Sequence, residues 1–321
     1  PAVFAALIAL GEARTELGDY AAAEAALERV LAAARAAGNR AAEAETLAVL
    51  ALTAFFRHDY DRAGALAQAA LPLGRALGGR LLGKTLRMAA TVLWAVGDLD
   101  AAESHSTEAL AACRAANDES GEIVALNTLG VIAGARRALE QAREFFLQAL
   151  VVARRANHLS LEALTLANLG DATYRLHDYA AARSYGQSAS ERLHELGARP
   201  LLVLALGNVA QADLKLGDVA AARRGARETL LLARSLDSTP NVIWAVFLFG
   251  QILAEMGQKS RALALYGLAR AQPELDNQIR VEIEEEIVRL GLPAAEIEAG
   301  LAAGAALDRQ TVIAEVLDGQ W

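Results

Sequence analysis

Leu166, Leu169 and Gly170 stand at spacing i, i+3, i+4, the pattern of one buried face of a helix. The same positions return forty residues earlier as Leu126, Leu129 and Gly130, and forty later as Leu206, Val209 and Ala210. Between such stripes lies a short polar turn: Gly18-Asp19-Tyr20, His58-Asp59-Tyr60, Gly97-Asp98-Leu99, His177-Asp178-Tyr179 and Gly217-Asp218-Val219. Weaker copies stand at Arg137-Ala138-Leu139 and Gly257-Gln258-Lys259, and successive third residues are 39 or 40 apart. Nine positions before each third residue is a Gly or Ala: Gly11, Ala51, Ala90, Gly130, Gly170, Ala210 and Gly250. Three positions after it is always Ala: Ala23, Ala63, Ala102, Ala142, Ala182, Ala222 and Ala262. A constant period of this size marks a repeat architecture. The chain therefore divides into repeats at approximately 1–39, 40–79, 80–118, 119–158, 159–198, 199–238 and 239–272, followed by a segment 273–321 that leaves the period.

Each repeat reads as two helices. The turn Asp is placed to cap the second helix by accepting from a free backbone N–H. That helix should run about 17 residues, about 25 Å at 1.5 Å per residue. It should stop at Gly38-Asn39, Gly78-Gly79, Asn117-Asp118, Asn157-His158, Gly197 or Asp237-Ser238, since Gly and Asn terminate helices. Pro200 and Pro240 stand at equivalent places where a next helix begins and a missing N–H costs least. Small residues at the two fixed positions allow paired helices to approach closely, and a bulky side chain there would wedge them apart.

Small residues twelve apart around a Gly-Asp-Tyr turn resemble the tetratricopeptide repeat, in a 40-residue rather than a 34-residue form. The resemblance covers Pro1 to about Gln272. It implies an all-α, right-handed superhelical solenoid of about seven helix pairs plus C-terminal capping helices over 273–321. In that tail, Asp276 to Leu290 reads as a helix with Ile283, Ile287 and Leu290 on one face and Glu284, Glu285 and Glu286 on a solvated one. Ala294 to Gly304, Leu307 and Thr311 to Leu317 form short helices before Trp321. Arg289-Leu290-Gly291 and these helices resemble the tail that closes tetratricopeptide arrays in bacterial STAND-type signal-transduction ATPases and large transcriptional regulators. A solenoid in any case needs a cap over its last apolar face.

Composition narrows the function. Hydrophobic residues make up 54%, aromatics 5% and Ala about 23% of the 321 residues, which fits helices packed through small side chains and excludes disorder. The single cysteine, Cys113, excludes an internal disulfide and a cysteine zinc site, and a reducing, cytoplasmic setting is the simplest reading. A net charge of -8 argues against direct nucleic-acid binding. The longest apolar stretch, Val242 to Gly250, is too short for a membrane span of ~20 residues. The start at Pro1, already apolar at Val3, Phe4, Leu7 and Ile8, reads as a fragment with an upstream neighbour.

Catalytic chemistry is sparse. Gly78-Gly79-Arg80-Leu81-Leu82-Gly83-Lys84-Thr85 matches the phosphate-loop pattern, but that mechanism needs a preceding strand, and here a repeat helix precedes it. It is read as coincidence. His58 and His177 are turn residues, and His105, His158 and His194 lack metal-ligand spacing. Cys113 has no nearby His in sequence, no nucleophile elbow exists, and Asp171 and Arg175 should pair with each other. No enzyme activity, cofactor or metal is expected.

The face of each first helix opposite its Leu stripe is the candidate binding surface. Repeat five supplies Asn168, Asp171, Tyr174 and Arg175, repeat six Asn208, Gln211 and Lys215, and repeat seven Trp244, Phe247 and Gln251. In repeats five and six the spacing 0, 3, 7 of Asn, polar and basic residues, Asn168, Asp171 and Arg175 or Asn208, Gln211 and Lys215, keeps them within about 60° on a helix. Resemblance to tetratricopeptide arrays implies a peptide or protein ligand there. Phe55, Phe56 and Trp94 in earlier repeats, like Trp244 and Phe247, are apolar and read as groove anchors or as inter-repeat packing. Two functions follow as expectations. One is the ligand-sensing, autoinhibitory array of a bacterial signal-transduction ATPase or transcriptional regulator, with an upstream nucleotide-binding domain as partner. The other is a freestanding adaptor that scaffolds protein complexes.

Overall fold

The computed structural model describes residues 2–273, 275, 277–319 and 321. Among these there are 17 helices and no strand. The helices come in pairs: α1 (Ala2–Glu16) with α2 (Tyr20–Ala36), α3 (Arg40–Phe56) with α4 (Tyr60–Leu77), α5 (Gly79–Ala95) with α6 (Leu99–Ala115), and α7 (Glu119–Ala135) with α8 (Leu139–Arg155). They continue as α9 (Leu159–Arg175) with α10 (Tyr179–Glu195), α11 (Arg199–Lys215) with α12 (Val219–Ser235), and α13 (Thr239–Glu255) with α14 (Lys259–Arg270). Three more follow: α15 (Asn277–Arg289), α16 (Ala294–Ala305) and α17 (Arg309–Leu317). Asp276, where the sequence pattern starts the first tail helix, lies outside the described residues, and Leu307 stands in a turn. The chain forms two compact units, Pro1–Thr165 and Leu166–Trp321.

Every turn within a pair is built the same way. Its first residue takes a left-handed backbone: Gly18, His58, Gly97, Arg137, His177, Gly217 and Gly257 all have φ between 61 and 86°. Three of these are not glycine, and each accepts local strain of about 1–2 kcal/mol to keep the turn. Asp59, Asp98, Asp178 and Asp218 accept from the backbone N–H three residues on, at 2.9–3.2 Å. Asp19 makes no such bond, a departure from the expected cap. Helix α14 stops after 12 residues, three short of Pro273, whose ring cannot continue a helix.

Packing within pairs is more specific than small against small. All seven Ala residues three after the turn are at most 1% exposed. In most pairs the Gly or Ala nine before the turn faces the residue seven after it and the two compensate in size; the fifth pair is the exception, where Gly170 meets the backbone of Gly186. Gly11 meets Leu27, Gly130 meets Phe146 and Gly250 meets Tyr266, so closely that a Cβ would overlap the side chain. Where the first position is Ala (Ala51, Ala90, Ala210), the second is Ala67, Ser106 or Ala226.

In the first unit, the pairs stack through Leu86, Ile123, Leu126 and Leu129 and through Leu27, Val30, Val49 and Leu50. Ion pairs between an exposed Arg and a more buried Glu recur across the junction between one repeat and the next: Arg35–Glu43, Arg114–Glu122 and Arg154–Glu162, each eight residues apart, at 2.8–3.1 Å. In the second unit one large core runs from Val203 through α13 and α14 to Ile283, Ile287, Val312 and Val316. Helix α16 closes it: Gly267 lies on the backbone at Leu301, and Gly304 on the backbone at Ala264, leaving no room for a Cβ at either glycine. Arg261 stacks over the Trp321 ring at 5.3 Å, and Trp321 Nε1 donates to Glu315 at 2.6 Å, which holds the end of the chain on this unit.

Candidate functional site

On α11 and α13 of the second unit the structure joins three of the expected polar residues, Gln211, Lys215 and Gln251, with an addition from outside the repeats. Asn168, Tyr174 and Asn208 are half-buried. Arg175 Nη1 lies 3.8 Å from Asp171 Oδ2, the expected pair one helical turn apart, and the Asp171 side chain keeps 48% of its exposure. The surrounding protein pushes the Asp171 carboxyl above its ordinary range, and Arg175 pulls it back. Tyr174 packs on Tyr179 with ring centroids 5.4 Å apart. Its phenol is pushed far up, first by burial and then by the negative charges of Glu282 and Glu286.

Those two acids belong to α15, which lies across the inner face. Glu286, expected on a solvated face, is 8% exposed; Glu284 and Glu285 do face solvent. One oxygen, Glu286 Oε1, accepts from Gln251 Nε2 at 3.2 Å and Arg289 Nη1 at 2.9 Å, and lies 3.7 Å from Lys215 Nζ. Gln211 Nε2 donates to Gln251 Oε1 at 3.3 Å, so two glutamines forty residues apart and a lysine form a polar ladder ending on one carboxylate. A buried carboxylate needs such partners, because removing its hydration without them is costly. Lys259 Nζ donates to Leu290 O at 2.6 Å just past the end of α15, and Arg270 pairs with Glu284 in its middle at 3.2 Å.

Two expected groove anchors are buried packing residues. Phe247 is fully buried with its ring 5.6 Å from Tyr266, because its position turns toward α14. Trp244 is 8% exposed and its ring fills the space left by Gly207 on α11. Gln211 and Gln251 are also buried, within the ladder. Sequence reasoning missed Glu286 because α15 falls outside the period. The signal was present: Glu286 stands three residues after Ile283 and one before Ile287, on the flank of the apolar stripe, whereas Glu284 and Glu285 are turned away from it.

In the first unit, Phe56 and Trp94 remain 43% and 36% exposed. The segment with the phosphate-loop pattern joins helix to helix. Lys84 Nζ lies 3.2 Å from Glu12 Oε2 and 3.3 Å from Glu45 Oε1, and the buried Thr85 hydroxyl donates to the carbonyls of Leu81 and Leu82. Both side chains that would hold a phosphate and Mg²⁺ are thus committed elsewhere. Burial raises the Cys113 thiol above its ordinary value, against the pull of Arg87, and so disfavours the nucleophilic thiolate. An open cleft of about 500 Å³ in the second unit is lined by His194, Arg199, Leu202, Glu228, Leu231 and Leu232. His194 and Leu202 occupy the places that Arg154 and Glu162 hold in the first unit, so the junction lacks its ion pair. Among the described residues no three potential metal ligands cluster, and no helix is long and apolar enough to cross a membrane.

Residues 81–155 match the family model described as tetratricopeptide repeat. No curated protein sequence matches the chain. Among solved structures it is similar to BtubC (BKLC) from P. vanneervenii, at 21% identity and TM-score 0.57 over 67% of this chain and 91% of that one. It is also similar to a signal transduction ATPase with numerous domains and a tetratricopeptide repeat sensor, from Pyrococcus horikoshii, at 16% identity and TM-score 0.61. That match covers 83% of this chain but only 41% of the ATPase. A Rap protein complexed with competence and sporulation factor matches at 13% identity and TM-score 0.63, over 100% of both chains. With the repeated helix pairs, these likenesses establish the fold as a tetratricopeptide-repeat array.

Proposed function

We propose that this chain is a non-enzymatic binding array that takes a peptide or protein segment on the inner face of its first helices. The observation that carries this reading is the ladder Gln211–Gln251–Glu286 with Lys215: the face already holds a carboxylate on a helix through side-chain amides and a lysine. An amide donates and accepts, so it can pair with any peptide group, and a base holds an acid. Asn168, Asp171, Tyr174, Arg175 and Asn208 extend the same chemistry on α9 and α11. The similarity to a tetratricopeptide sensor in a signal transduction ATPase supports a ligand-sensing array with a nucleotide-binding domain as its partner, and we extend this to an autoinhibitory role in a cytoplasmic bacterial regulator.

A freestanding adaptor that scaffolds protein complexes is the second reading, in line with the similarity to a Rap protein. The mass of the native polypeptide in its own cells separates the two. The binding reading itself is tested by selecting peptides from a displayed library against the chain. Asn168→Ala with Asn208→Ala should weaken the selected peptides by about 1–3 kcal/mol, two neutral hydrogen bonds, with melting unchanged. Undiminished affinity would contradict this placement of the ligand.

A further inference from the structure

The helix that covers the inner face is anchored separately from the helix that caps the core. Helix α16 is fixed to α14 backbone to backbone at Gly267 and Gly304. Helix α15 runs between the end of α14 at Arg270 and Gly291, whose φ of 62° makes the turn into α16, and it is tied to α14 through the exposed Arg270–Glu284 pair and the Lys259 bond to Leu290 O besides its buried aliphatic face. Its hold on α11 and α13 converges on one carboxylate, Glu286, with Ile283 and Ile287 buried on either side of it at 0% and 5% exposure. The cap could therefore stay in place while α15 leaves. The groups it would uncover are two buried glutamine amides, a lysine with 16% side-chain exposure, and apolar surface, a set matched to a helix with an acid between aliphatic residues.

We propose that the inner face of α11 and α13 is an exchangeable site for an acidic amphipathic helix of a protein partner, and that α15 is its resident occupant. This rests on the binding reading above and names its ligand class. The partner helix presents aliphatic, acidic and aliphatic side chains at i, i+3 and i+4, as Ile283, Glu286 and Ile287 do, and gives its carboxylate to Lys215 and Gln251. A protein whose site is closed most of the time binds in proportion to the open fraction, so weakening the resident helix strengthens binding from outside.

The test uses the full chain and a fluorescein-labelled synthetic peptide of residues 277–291, with anisotropy as the readout. Glu286→Gln leaves Lys215 and Gln251 intact, and should bind the peptide about tenfold or more tightly than the wild type, the loss of one charged contact in the resident helix. A peptide with Gln at the position of Glu286 should show no such gain. Lys215→Met loosens α15 equally, visible as faster hydrogen exchange of its amides in both variants, yet should bring no gain in peptide binding because the incoming carboxylate loses the same partner. The proposal is overturned if Glu286→Gln binds the peptide no better than the wild type, if Lys215→Met gains as much, or if α15 amides exchange at wild-type rates in both variants. In those cases binding of library-selected peptides still upholds the broader reading, whereas its loss alone would remove that reading and leave the α15 exchange result standing.

Discussion

Lys84 and Lys215 each bridge helices on the inner face of their own unit, but to different effect. Lys84, on α5, pairs with Glu12 on α1 and Glu45 on α3, so its carboxylates come from the neighbouring first helices. Lys215, on α11, pairs with Glu286 from α15, outside the repeats. In the first unit Phe56 and Trp94 stay exposed, while in the second Gln211, Trp244 and Gln251 are buried at 5–8% exposure. The repeat pattern thus fixes which residues point inward, and a helix that belongs to no repeat decides which of them meet solvent.

The largest expected effect breaks the cover of the second unit. Ile283→Ala removes a fully buried side chain of α15 and should cost about 2–5 kcal/mol, the range for such core truncations. Chemical denaturation would measure it, and footprinting should show new labelling at Tyr174 with Phe56 and Trp94 unchanged. A smaller effect compares helix contacts in the two units. Gly130→Ala drives a Cβ into the Phe146 ring and should destabilise by about 1–3 kcal/mol. Gly170→Ala, whose nearest neighbour is Ala182 O at 3.5 Å, should be neutral or stabilise by about 0.5–1 kcal/mol through helix propensity. Equal midpoints for the two variants would refute the size compensation. The smallest effect concerns the turns. Arg137→Gly should stabilise by about 1 kcal/mol by relieving a left-handed residue at φ 62°, a change already made at the equivalent Gly217. A lowered melting temperature would show that the arginine contributes something beyond its backbone.

Most of the architecture was legible, since the period, the turn triplets and the terminating Gly and Asn residues are local signals that neighbouring repeats repeat. The size match between Gly130 and Phe146 or Gly250 and Tyr266 was not, because the partner lies sixteen residues away and changes identity from repeat to repeat. Of the candidate site, Gln211, Lys215 and Gln251 meet around Glu286, with Tyr174 near the same helix, whereas Phe247 turns into the pair and Trp244 into the gap at Gly207. Phe247 is not one of the stripe positions, which here are Val246, Phe249 and Gly250, but it stands about one helical turn before Gly250 and so still reaches Tyr266 on the partner helix. What no periodicity could supply is the return of α15 onto α11 and α13, a long-range contact set by side chains outside the pattern.

The return of α15 onto the inner face can be tested directly, because the chain has only three lysines, Lys84, Lys215 and Lys259. Zero-length carbodiimide cross-linking joins an amine to a carboxylate in direct contact, and mass spectrometry identifies the joined peptides. The structure predicts a link from Lys215 to Glu286, alongside links from Lys84 to Glu12 or Glu45 as the internal standard. Lys84 links without any Lys215–Glu286 product would contradict the account, because α15 would then not lie on the inner face of the second unit.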